Sequence, residues 1–193
     1  MNAYISRTLA HLSLGAMAAL CLLTAAGPNA QAQSSENNKG QLSSHDYKFV
    51  SAAARGGEEE VTLGELAAQK GTDPSVREFG QRMAQDHQKV NQQLTQLASQ
   101  KGATLPSTPT GREEGRVDKL KNMSGADFDK AYMKEMVSDH KKDVKEFQSA
   151  STKADDADVK AFAAKTLPTL EEHLQMAESI QTKLSGEQHS SAQ

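Results

Sequence analysis

Tryptophan is absent, and the only cysteine, Cys21, falls inside the one long apolar run of the 193-residue chain. A single cysteine cannot close a disulfide within the chain, and nothing beyond residue 21 can offer a thiolate to an Fe–S cluster or a redox couple. Outside the run from Leu12 to Ala26, no stretch approaches the ~20 apolar residues that span a bilayer. Aromatic residues make up only 4% of the chain, so a core must be built mainly from aliphatic side chains and methionine. Neither sign of charge prevails: 22 basic against 25 acidic residues leave a formal charge of −3. That excludes the basic footprint of a nucleic-acid binder. Strand-like alternation, a glycine-rich phosphate loop, an HExxH zinc motif and a nucleophile–base arrangement are all missing, which argues against catalysis.

What is present begins with an export signal. Arg7 is the only charged residue before Leu12, the apolar run has the length of a signal core, and Ala30-Gln31-Ala32 supplies small residues at a cleavage site. Cleavage after Ala32 is expected to leave a mature chain starting at Gln33. Leu20 precedes Cys21 where a lipoprotein needs a small residue, so the expected product is periplasmic or secreted and is not a lipoprotein. Residues 33–44 read as a flexible polar tail, 45–184 as one helical domain, and 185–193 as a disordered tail.

Four amphipathic helices are predicted from apolar residues spaced by three and four. The first spans about His45 to Lys70. Gly56-Gly57 weakens it, and Gly64 lets a partner helix come close. Gly71-Thr72-Asp73-Pro74 stops it and starts the second helix, with Asp73 as N-cap and Pro74 at the first helical position. The second runs to about Lys101, with Gly102 as C-terminal cap. A connection over 103–124 carries Pro106, Pro109 and a short surface helix at 112–122 using Val117 and Leu120. The third runs from Ser124, with Asp127 completing a capping-box-like start, to Lys153. The fourth runs from Asp155-Asp156 to Leu184 with Pro168 inside it. Two hairpins joined by one long connection predict an all-α, antiparallel, ferritin-like four-helix bundle.

The most informative pattern occurs twice. Met83-x-x-Asp86-His87-x-Lys89 and Met136-x-x-Asp139-His140-x-Lys142 both fit M-x-x-D-H-x-K, and Glu172-His173 follows near the C-terminus. Each histidine lies mid-helix on the apolar side. At ~1.5 Å per residue, Glu60, His87 and His140 stand about 18–21 Å from their respective turns, and His173 about 28 Å. Within that error one polar residue from each helix shares a middle layer. Three His and one carboxylate are a candidate ligand set for Fe, Mn, Zn or Cu. They are equally a candidate hydrogen-bonded polar layer, whose buried neutral histidines lose stability as pH falls. Asp86, Asp139 and Glu172, with Tyr132, are candidates for groups that orient the imidazoles. Alternatively, the acids pair at the surface with Lys89, Lys142 or a neighbouring helix. A di-iron centre needs Glu three residues before the His; Ala84, Val137 and Leu170 stand there. Glu58-Glu59-Glu60 reads as a solvated face with one member turned inward, and the methionines at 83, 123, 133, 136 and 176 as core filler.

Several of these segments together resemble a known family. They are Glu60-Val61-x-Leu63-Gly64, Phe79-x-x-x-Met83-x-x-Asp86-His87, Leu105-Pro106, Phe128-Asp129-x-x-Tyr132, Asp139-His140 and Leu167-Pro168-x-Leu170-x-x-His173. The chain is similar over 45–184 to the exported bacterial Domain of Unknown Function 4142 family, often labelled outer-membrane protein. The resemblance implies a ferritin-like four-helix bundle and no established activity; barrel strands that would support the label are absent. The expectation is a non-catalytic envelope protein whose Glu/His layer binds a metal or senses pH. The alternatives are a metal-dependent redox or storage protein, and an interaction protein with a purely structural layer. An envelope partner or a homo-oligomer fits either.

Overall fold

The computed structural model describes residues 41–106 and 110–190. The expected export segment, most of the 33–44 tail, Pro109 and residues 191–193 lie outside the described residues. Those described are all-α: α1 (Ser44–Lys70), α2 (Pro74–Gln100), α3 (Gly111–Lys121), α4 (Gly125–Lys153) and α5 (Ala157–Ser190), with no strand among them. Short turns pair α1 with α2 and α4 with α5; α2 also packs on α5, α1 on α4, and α3 lies against α1 and α4.

Local chemistry sets the boundaries. The Ser43 hydroxyl accepts from the amide of Asp46, the Asp73 carboxylate accepts from that of Ser75, and Pro74 opens α2. Asp156 caps α5 by accepting from Asp158 and Val159. These bonds satisfy amides that the helix leaves without partners. Gly102, at φ +63°, ends α2 in the left-handed region. The capping contact expected of Ser124 is not formed: Gly125 takes φ +62° immediately after it and turns the chain before the helix begins. At the other end, α5 runs past Leu184 to Ser190, where the Ser185 hydroxyl bonds to the Gln181 carbonyl and Glu and Gln follow.

Each hairpin also pins the turn of the other. Asp46, at the start of α1, accepts from the amides of Asp155 and Asp156. Asp129, at the start of α4, accepts from those of Thr72 and Asp73. Both carboxylates are buried. Gly64 and Gly80 let α1 and α2 touch through their backbones: a Cβ on either would lie 2.7 Å from the other's carbonyl oxygen.

The core is divided in two. One apolar cluster gathers Leu63, Phe79, Met83, Phe128, Tyr132, Met136 and Ala177; the other gathers Val50, Leu94, Phe147, Val159, Phe162 and Leu170. Between the two sets lie Glu60, His87, His140 and His173, contributed one by each long helix and all buried, with Glu59 of α1 and Asn91 of α2 buried in the same stretch. The polar layer is thus the boundary between two apolar blocks.

Candidate metal centre

The three imidazoles meet. His87 and His140 have ring centroids 5.8 Å apart, and His173 lies 5.4 Å from each. The mismatch expected for His173 closes for two reasons. α5 begins at Ala157, which brings His173 to about 24 Å along its helix. Helical side chains also lean toward their N-terminus, which carries the His173 ring toward the α4–α5 turn and the His140 ring away from it.

Each ring is held by one nitrogen. His140 Nδ1 lies 3.0 Å from the Met136 carbonyl oxygen, which can only accept, so Nδ1 carries the proton. His173 Nε2 lies 3.2 Å from Asp86 Oδ2. Burial works against that carboxylate, but His173 and Lys89 hold its pKa below the ordinary value, so Nε2 is the donor. His87 Nδ1 lies 3.1 Å from Glu60 Oε2; a proton on Nδ1 leaves no buried N–H stranded. The remaining nitrogens are His87 Nε2, His140 Nε2 and His173 Nδ1. All three are buried and none has a hydrogen-bond partner. The histidines can offer one nitrogen each within 4.8 Å of one another. Tetrahedral Zn–N bonds would bring such atoms to about 3.3 Å, a closure within rotamer adjustment.

Burial sets the charge states. It holds His87 well below its ordinary pKa, helped by His140 and His173, and brings His140 down to about 3. His173 is also lowered by burial, with Asp86 opposing. Burial raises Glu60 well above the carboxylate range, and Asp143, Asp139 and Glu59 add to it. The Tyr132 phenol is fully buried, without a partner, and raised by burial and by Glu60.

The other expected site residues take distinct places. Glu60 is on the Nδ1 side of His87 and His140 (3.6 Å from the latter). Asp86 reaches across to His173 and also pairs with Lys89 at the surface. Glu172 pairs with Arg82 at 2.7 Å, and Arg82 reaches Asp86 at 3.4 Å, so this acid acts on the layer through an arginine. Asp139 touches no histidine; Arg116 of α3 bonds to both its oxygens at 2.8 and 2.9 Å and also to Glu59. Lys142 pairs with Glu146 instead of Asp139. Two of the three consecutive glutamates turn inward, not one: Glu59 and Glu60 are buried and Glu58 is exposed. The reason is Arg116, which covers Glu59 from the connecting segment. Sequence reasoning did not single out Arg116, Asp143, Asp46 or the pinning role of Asp129. Only the offset shared by Asp46-x-x-Phe49 and Asp129-x-x-Tyr132 could have suggested the last two.

The family profile described as Domain of unknown function (DUF4142) matches residues 31–180. No curated protein matches the chain. Among solved structures the chain is similar to a crystal structure of a DUF305 fragment from Deinococcus radiodurans. That similarity is 12% in identity, covers 74% of this chain and 99% of that one, and has a TM-score of 0.66; it speaks to the fold alone.

Proposed function

Because the chain belongs to the DUF4142 family, whose description names no activity, we propose its function from the site: an exported, ferritin-like four-helix-bundle protein that binds one transition-metal ion on His87, His140 and His173. The observation that carries this reading is the set of three buried imidazole nitrogens without partners. A purely structural layer would pair them, since each stranded polar atom costs about 1–3 kcal/mol. Three neutral imidazoles suit Zn(II), Cu(II) or Fe(II) better than Mn(II), which favours oxygen ligands. Glu60 takes the orienting position behind His87 and His140, and Asp86 that behind His173, the usual partners of ligating histidines. A bound ion would supply Lewis acidity or, for Cu or Fe, electron exchange. The lack of a Glu-x-x-His motif favours one ion over a di-iron pair. Export is supported by Arg7, the Leu12 to Ala26 run and Ala30-Gln31-Ala32; a mature N-terminus other than Gln33 would revise that cleavage site.

The test is elemental analysis of protein purified without chelator, followed by calorimetric titration with Zn(II). One ion per chain, lost in His87→Ala, is expected. Protons should be released on binding, because a cation favours the ionised Glu60. Protein that neither retains nor binds a metal would make the layer structural, its role being helix register.

A further inference from the structure

His87 and Glu60 of the polar layer line a cavity that extends to exposed residues. This cavity of about 190 Å³ is lined at one end by exposed Arg112, Lys142 and Glu146 and at the other by buried Glu60 and His87. It passes Gly56 and Gly57 of α1. Two glycines inside a helix cost roughly 1 kcal/mol each against alanine, and only one has a packing reason. A Cβ on Gly57 would lie 2.1 Å from Asn91 Oδ1, whereas a Cβ on Gly56 would meet nothing within 4 Å. What Gly56 provides is open space at the cavity.

Much of the lining is acidic. Glu59, Glu60, Asp139 and Asp143 all contribute to it. Glu59 Oε1 and Glu60 Oε1 are buried without hydrogen-bond partners, as is His87 Nε2. Of the basic side chains in the lining, the Arg116 guanidinium is the one bonded to these acids, to Glu59 and to both oxygens of Asp139. Its side chain is 26% exposed.

We propose that this cavity is the route by which a divalent cation reaches His87, and through it the three-imidazole site, with Glu59, Asp139 and Asp143 holding the ion in transit and Arg116 as the resident counter-charge that gives way to it. The inference rests on the reading of the layer as a metal centre. Carboxylate oxygens suit a partly hydrated divalent ion and imidazole nitrogens the stripped one, so the lining passes the ion from one ligand type to the other. An acidic, partly enclosed cleft also raises the local cation concentration.

The experiment is stopped-flow uptake of Co(II) by the chelator-stripped protein, read by visible absorbance, with release to EDTA measured separately. Gly56→Leu places a side chain in the open space and raises helix propensity. It should slow uptake and release alike by about tenfold or more, since a packed side chain leaves no passage, while one ion still binds per chain. Arg116→Gln removes the resident charge. Its uptake should be several-fold faster than wild type and more strongly slowed by salt. Uptake and release at wild-type rates in Gly56→Leu would overturn the route, and Arg116→Gln loading no faster than wild type would overturn the counter-charge. Wild-type protein that takes up no Co(II) would remove the histidine site itself, and the route with it.

Discussion

Replacing His140 by leucine tests directly whether the imidazoles are buried in neutral form. His140 is fully buried. Burial, then the neighbouring His173, hold its pKa down to about 3, against about 6.5 in an unfolded chain. Between those values the unfolded state binds the proton and the folded state does not. The contribution is therefore complete above pH ~6.5 and is lost as pH falls. At pH 5 the unfolded chain gains 2.303RT times about 1.5 pH units, roughly 2 kcal/mol. Any folded value below about 4 gives the same figure, because the proton is then absent from the folded state at pH 5 in every case. Glu60 and Asp143 work the other way. Burial raises the first well above its ordinary value and the second to about 7, so both favour the folded state at low pH and lose that effect as pH rises through their folded values. The wild-type profile is a sum of opposing slopes, and only the difference between wild type and variant isolates His140. Urea unfolding of both proteins at pH 7.5 and 5.0, with chelator present, provides the measurement. The stability of His140→Leu relative to wild type should improve by about 2 kcal/mol between the two pH values. Profiles that stay parallel would refute a buried, neutral His140.

Other perturbations address the frame and the support of the site. Gly80→Ala should lower the unfolding free energy by about 1–3 kcal/mol, because its Cβ would lie 2.7 Å from the Gly64 carbonyl and force α1 and α2 apart; a neutral or stabilised variant would show that the crossing can open freely. Asp129→Ala strands the amides of Thr72 and Asp73 and should cost about 1–3 kcal/mol for each amide left buried without an acceptor, measured by chemical denaturation. A value near zero would mean water replaces the carboxylate. Asp86→Asn keeps the shape but removes the charge behind His173; zinc affinity by calorimetry should fall about 10–100-fold with stoichiometry unchanged, and an unaltered Kd would remove Asp86 from the site.

How much was legible in the sequence can be followed residue by residue. The helix start at Asp73-Pro74, unlike the cap contact at Ser124 that does not form, could be read because capping uses only neighbours in sequence. So could the inward faces, since Met83, His87, Leu94, Met136, His140 and Phe147 repeat with the helical period and all prove buried. The role of Glu59 could not. Nothing local distinguishes it from Glu58; what buries it is Arg116, 57 positions away in sequence on a helix whose own pattern says only that Val117 and Leu120 face inward. For the same reason the sequence left Asp139 with a choice of partner, Lys142 or a neighbouring helix. Its local partner would have been Lys142, and its actual partner is again Arg116.

The all-helical class, the helix boundaries to within a few residues except at the end of α5, and the polar interruption of the apolar face on each long helix were legible in the residue order, because they follow from interactions reaching no farther than one helical turn. Which nitrogen of each imidazole is occupied and which is left free came from the packing of the helices. That packing also placed Glu60 on the Nδ1 side of His87 and His140 and left the cavity that runs past Gly56 from His87 and Glu60 to exposed residues. Those features depend on which side chains of different helices meet at the same height, which is set by helix start points, side-chain lean and the close crossing at Gly64 and Gly80, none of which is written in the spacing of any single helix.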